Sequence, residues 1–259
     1  MMWPAKRLTW LLIAAGFMAG LVAFFPARLI EKNLNESMTP PWHLTLSGTI
    51  WNGSGLLQAG ATDASAVPFQ WRFDAAPLSR LRLGWKVAAN APALSGSVLL
   101  GARLQSVELS RMALSMDASL LQQAIPAAAI VAPSGFISLS TPDESRMIID
   151  NSETLHMNGE GRFKVENFAL RPLGPAPVGT HEVRITARDA SIDYVFTQST
   201  GALKFEGNGT MQMARPHQLS YSGFVTASPS LPENILSQLK SLGPTGADGR
   251  IRVDWKAAW

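Results

Sequence analysis

The sequence predicts a mainly β protein: an N-terminal transmembrane helix, then an elongated, curved antiparallel β-sheet domain with one or two short helices. Three observations carry this. Residues 8–25 read LTWLLIAAGFMAGLVAFF, eighteen positions without a charge. Beyond residue 40 apolar and polar side chains alternate with period two, the mark of strands buried on one face. Glycines recur, at irregular intervals, just ahead of many of the alternating segments.

The apolar stretch comes first. As a helix it would be about 27 Å long, close to a hydrocarbon core of roughly 30 Å. Trp3 and Trp10 lie near its start, where amphipathic rings favour the headgroup region. Lys6 and Arg7 precede it, while Glu31 and Glu36 offset Arg28 and Lys32 beyond it. The positive-inside rule then places the N-terminus in the cytoplasm and the bulk of the chain outside. The rival reading is a cleavable signal peptide, which needs small residues at −3 and −1. The core instead ends in Ala23-Phe24-Phe25-Pro26, so an uncleaved anchor is expected. The division that follows is a cytoplasmic 1–7, an anchor 8–27 and a juxtamembrane linker 28–40. Beyond it come a first β sub-lobe 41–123, an Ala/Pro-rich boundary 124–134 and a second sub-lobe 135–259.

The strands are read from alternation. Phe69, Trp71 and Phe73 interleave with Gln70 and Arg72, and Leu81, Leu83 and Trp85 with Arg82, Gly84 and Lys86. Phe163 and Val165, then Ile251, Val253 and Trp255, repeat the pattern among charged neighbours. Many strands are expected to begin at a glycine, the series being Gly48, Gly96, Gly135, Gly161, Gly209, Gly223 and Gly249. Ser230-Leu-Pro-Glu233 reads as a capping box with proline in the first turn. Ile235, Leu236, Leu239 and Leu242 follow on one face, and Gly243 is placed for a C-terminal cap. Asp117–Ala124 is a weaker helix stopped by Pro126, and Arg171–Gly179, with three prolines, is a loop.

Composition then removes function classes. The formal charge of +3 resides in residues 1–32, and the remainder is neutral. Without a basic run there is no counterion-displacing surface for nucleic acid. The absence of cysteine removes disulfides, thiolate metal sites and a cysteine nucleophile. His43, His156, His181 and His217 are scattered and read as surface residues, and His181-Glu182 would face opposite ways on a strand. Ser237-Gln-Leu-Lys240 fits an SxxK pattern but lacks its partner motifs, so Lys240 is better read as a cation near the negative helix end. Asp143-Glu144 follows Pro142 in a turn. No catalytic, cofactor-binding or metal-ligating residue can be named, and no enzyme is expected.

Ser47-Gly-Thr-Ile-Trp-Asn-Gly-Ser-Gly55 is the most distinctive segment. It resembles the GT-x-W-x-G motif that follows the membrane helix of protein N of the type II secretion system, carried here by Gly48, Thr49, Trp51 and Gly53. Trp71-Arg-Phe-Asp74, Pro77-Leu78 and Leu83-Gly-Trp85 resemble that family's tryptophan-led strand, turn and second strand. The C-terminal helix, Leu242-Gly243 and Gly249-Arg250 extend the likeness to essentially the whole chain. The resemblance implies an accessory inner-membrane component of the machine that exports folded proteins across the Gram-negative outer membrane, without catalytic residues or cofactors. That family is distantly similar to AsmA-like periplasmic proteins associated with lipid handling.

Two roles follow. One is docking of other secretion components on an edge strand or aromatic patch, with Trp42, Trp51, Trp255 and Trp259 as the expected contacts. Core packing is the competing reading for Trp51 and Trp255, and the membrane interface for Trp42. The other is a lipid groove along an apolar face that the short helices leave uncovered.

Overall fold

The computed structural model describes residues 20, 23–38, 42–59, 66–103, 106–120, 132–150, 155–170, 177–213 and 218–258. Residues 8–19, 21 and 22 of the expected anchor 8–27 fall outside them, as do residues 121–124 of the weaker expected helix, whose Asp117 instead ends a strand, residues 171–176 of the expected loop, His217 and Trp259. No helix among the described residues is long and apolar enough to cross a membrane.

Among the described residues fourteen strands form one antiparallel sheet. They are β1 (Trp42–Gly48), β2 (Asn52–Ala59), β3 (Val67–Asp74), β4 (Leu83–Asn90), β5 (Leu94–Arg103), β6 (Ser106–Asp117) and β7 (Pro133–Ser140). Then follow β8 (Arg146–Asp150), β9 (Leu155–Leu170), β10 (Gly179–Asp189), β11 (Ser191–Gly201), β12 (Leu203–Gln212), β13 (Gln218–Ala227) and β14 (Ile251–Ala258). Nearly every strand pairs with its neighbour in the chain, from β1 at one edge to β14 at the other. β7 and β8 together occupy one level of the sheet: β6 pairs with β7 through residues 113–117 and with β8 through 106–110, and β9 closes the same level from the far side. The ladder therefore continues from the first expected sub-lobe into the second.

The alternation of β3 holds, with Phe69, Trp71 and Phe73 half-buried and Gln70 and Arg72 exposed. Leu81 departs from its expected face. A 3-10 turn at Ala76–Arg80 ends on Leu81 in the left-handed region (φ 55°), leaving that side chain 93% exposed. Pro77 nucleates the turn, and strand geometry starts two residues later than the alternation implies.

The glycines act inside strands rather than ahead of them. Gly48 closes β1; Gly96, Gly135, Gly161, Gly209 and Gly223 are internal; Gly249 alone precedes its strand. Gly135 (φ +109°) sits where the β7–β9 register shifts, a backbone that a side chain would strain. Gly53, Gly55 and Gly209 stand directly opposite Trp71, Phe69 and Tyr194, whose rings lie over them and would collide with a Cβ.

Among the described residues two α-helices of two or more turns flank the sheet. α1 (Arg28–Ser37) occupies the stretch expected as a linker and lies along β1. α2 (Glu233–Ser241) packs Leu236 and Leu239 onto a core of Val178, Leu203, Val225, Leu231, Ile251 and Val253, with Ile235 also buried. The capping box does not form. Pro232 is the N-cap (ψ 140°), no side chain caps the helix, and the Ser230 hydroxyl meets Ser228 instead at 2.8 Å. Burial of Leu231 pulls Ser230 into a turn closed by Leu231 N–H on Ser228 O, two residues too early to cap. Gly243 likewise owes its identity to packing: a Cβ there would strike the Arg252 carbonyl. Leu242, expected on the buried face, is 53% exposed. The sheet is a single layer, and among the described residues no large side chain is completely buried.

Candidate functional site

The motif segment forms the turn between β1 and β2. Gly48 (φ +98°) pairs with Gly53 across its base. Thr49 N–H donates to Asn52 O (3.0 Å), and Asn52 N–H returns to the Thr49 hydroxyl (3.2 Å). Two indoles from the next hairpin close over the turn. Trp71 Nε1–H donates to Thr49 O (3.0 Å) and Trp85 Nε1–H to Ile50 O (2.7 Å). Trp51 meets Phe73 edge-on at 4.9 Å, and Phe73 meets Trp85 at 6.2 Å. Each tryptophan thus satisfies a turn carbonyl with its polar edge and buries its body. Trp51 is half-buried in this cluster.

The same turn fixes the chain arriving from the N-terminal segment. Ile50 N–H donates to Phe25 O and Ala27 N–H to Gly48 O, both at 3.0 Å, and Pro26 bridges Thr49. α1 then runs antiparallel to β1 along its free edge. The Asn35 side-chain amide imitates a neighbouring peptide, accepting Leu44 N–H (2.7 Å) and donating to Leu44 O (2.8 Å). The Glu31 carboxylate accepts Leu46 N–H at 2.7 Å. An edge that would otherwise invite another strand is stitched shut by side chains.

The opposite edge is closed only at its start. Arg252 N–H donates to Pro244 O (3.0 Å), Thr245 bridges Ile251, and Gly246 N–H donates to Arg250 O (2.8 Å). Alternate residues of a strand present their peptide groups to the same side, so Asp254, Lys256 and Ala258 follow Arg252 outward. Among the described residues no backbone group pairs with them there. Asp254 is held ionised, its pKa lowered by hydrogen bonds from Ser222 Oγ (2.6 Å) and Arg252 Nε (3.0 Å). Trp255 is 45% exposed, on the open side of a row made by Tyr194, Gly209 and Tyr221 on successive strands. An open groove of about 690 Å³ lies over that row. Burial and the nearby Tyr194 push the Tyr221 phenol up to about 12.

Of the four expected contact tryptophans, Trp42 and Trp51 belong to the β1 end and Trp255 to the β14 end. Trp42 opens β1 half-buried, opposite Ala59.

His181 is 6% exposed rather than on the surface, because β10 turns it against Phe205. Its Nδ1 lies 2.8 Å from Ser199 Oγ, which also accepts Phe205 N–H at 2.7 Å. Nε2 is buried without a hydrogen-bond partner, and burial lowers the imidazole pKa. Glu182 faces away and pairs with Arg162 at 3.2 Å, so it does not join the Ser–His contact. Ser237 Oγ is spent on Asn234 O at 2.8 Å. Asp143 faces Arg111 at 3.6 Å. Sequence reading missed one cluster: Arg82 and Arg146 both reach Glu108 beside a cavity of about 190 Å³. Among the described residues no group of three or more His, Asp or Glu side chains is arranged to hold a metal.

No curated protein and no solved structure matches this chain. One family model does, that of type II secretion system (T2SS), protein N, over residues 43–254. The matched span opens one residue into β1 and closes on Asp254 of β14, taking in the motif turn, the tryptophan hairpins and α2. The resemblance first carried by Gly48, Thr49, Trp51 and Gly53 thus extends over the whole sheet, and the chain belongs to the type II secretion system protein N family.

Proposed function

We propose that this protein is a non-catalytic accessory component of the type II secretion system. Residues 8–27 hold it in the inner membrane, and its β domain lies in the periplasm as an assembly platform. Family membership supports the secretion role. The observation that carries the docking role is the unequal treatment of the two sheet edges. Asn35 and Glu31 occupy the backbone of β1, while Asp254, Lys256 and Ala258 of β14 offer theirs beside an exposed tryptophan. Strand addition at such an edge gains affinity from main-chain hydrogen bonds and selectivity from the flanking side chains. The occupant is an extended segment of another secretion component, and Trp255 is its aromatic contact.

A photoreactive residue at Trp255, with controls at Trp42 and Trp51, tests this in cells. Protein adducts to other secretion components at position 255 support docking. A second reading, lipid binding, rests on the sheet's half-buried aromatic face, which among the described residues no layer covers away from α2. Lipid adducts without protein partners would overturn docking in favour of that reading.

A further inference from the structure

Helix α1 turns the wrong face to water for a soluble protein. Its polar residues Glu31 and Asn35, one helical turn apart, point at the sheet and are consumed by β1. Its apolar residues point outward: Leu29 is 62% exposed, and Ile30 and Leu34 are 39% exposed each. No residue of the helix is buried, and its apolar residues occupy the arc away from Glu31 and Asn35, with the exposed Asn33 and Ser37 among them. Phe24 is 77% exposed and Phe25 36%, extending the apolar surface back to the end of the uncharged stretch 8–25. The exposed Lys32–Glu36 pair edges this surface beside Leu29. A helix that spends its polar side chains inward and its leucines outward is matched to a surface that is itself apolar.

We propose that α1 lies in the bilayer interface, its Leu29, Ile30 and Leu34 face inserted among the acyl-chain boundary. The reading rests on the membrane anchor proposed above and adds an orientation to it. The motif turn is the joint: Phe25, Pro26 and Ala27 are fastened to Ile50, Thr49 and Gly48, so chain, helix and sheet leave the membrane as one piece. Because α1 runs along β1, an interfacial helix lays the β1 edge along the bilayer. The remaining strands then stack away from it, at about 4.8 Å per level. Twelve spacings from β1 to β14 put the open edge as much as roughly 60 Å along the sheet from the lipid. The closed edge faces the membrane and the open edge faces the compartment.

The chain has no cysteine, so single substitutions report cleanly. Full-length Leu34→Cys and Leu29→Cys are labelled with an environment-sensitive fluorophore and reconstituted in vesicles containing nitroxide-labelled phospholipid. Lys32→Cys and Lys256→Cys serve as exposed controls, and Ala15→Cys reads the anchor separately. The proposal expects several-fold stronger quenching by shallow lipid nitroxides at 29 and 34 than at 32, and none at 256. Equal access of aqueous iodide to 34 and 256 would overturn it. So would shielding of 34 without lipid quenching, which means that protein covers the helix. Deep quenching at 15 with none at 34 defeats the interfacial helix and leaves the anchor intact. Absence of quenching at 15 defeats the anchor.

Discussion

The two edges of the sheet solve the same problem in opposite ways. Every sheet edge carries a row of unpaired peptide groups and a risk of indiscriminate pairing. At β1 the row is answered within the chain by Asn35, Glu31 and the Phe25–Ala27 segment. At β14 the answer stops at Arg252, and charged residues alternate along the rest as Arg252, Asp254 and Lys256. Charges on an edge discourage chance partners and leave room for a chosen one. One edge is therefore closed within the chain, and among the described residues the other stays open beyond Arg252.

The largest effect should come from opening the closed edge. Replacing Glu31 and Asn35 together by Ala strands the Leu44 and Leu46 amides and removes one charge-assisted bond. Urea unfolding should show a loss of about 3 kcal/mol, with increased self-association. A loss below about 0.5 kcal/mol would mean that α1 does not hold the edge. Gly53→Ala drives a Cβ into the Trp71 ring and the Ser47 carbonyl, and should cost about 2 kcal/mol in the same assay. Trp85→Phe keeps most of the packing but orphans the Ile50 carbonyl, for about 1 kcal/mol.

Some of this was legible beforehand and some could not have been. The alternation of Phe69, Trp71 and Phe73 announced a half-buried strand because period two is local. The motif was legible as a sequence, but its mechanics depend on Trp71 and Trp85, which come from later strands. The β1 seam was hidden for the same reason. The bonds from Asn35 and Glu31 reach 9 and 15 residues along the chain, and no periodicity encodes a side chain standing in for a strand. The Ser230 box misled because burial of Leu231 outweighed a local cap. Strand position also decided the tryptophans: Trp255 shares the apolar alternation of β14 but lies at an edge, where it stays 45% exposed.

Smaller effects sharpen the contrast further. His181 lies among the inner strands, and its lowered pKa means that the unfolded chain binds a proton more readily than the folded one. Its contribution is complete above the ordinary value of 6.5 and is lost as pH falls from there through the depressed folded pKa. Thermal melts between pH 7 and 5 should show that decline, and His181→Phe should flatten it. Trp255→Ala should change stability by less than about 0.5 kcal/mol, because the site is at an edge and half-exposed. The loss should appear instead in crosslinking to secretion components, recorded from a photoreactive residue at Lys256.

Amide hydrogen exchange tests the contrast between the edges most directly. In the isolated protein, the Leu44 and Leu46 amides should be protected with the body of the sheet, while those of Asp254 and Lys256 exchange as open edge positions. In membranes containing the assembled secretion system, the β14 amides should gain protection and the β1 amides should not change. Fast exchange at Leu44 and Leu46, or protection of Asp254 and Lys256 in the isolated chain, would contradict a closed first edge and an open last one.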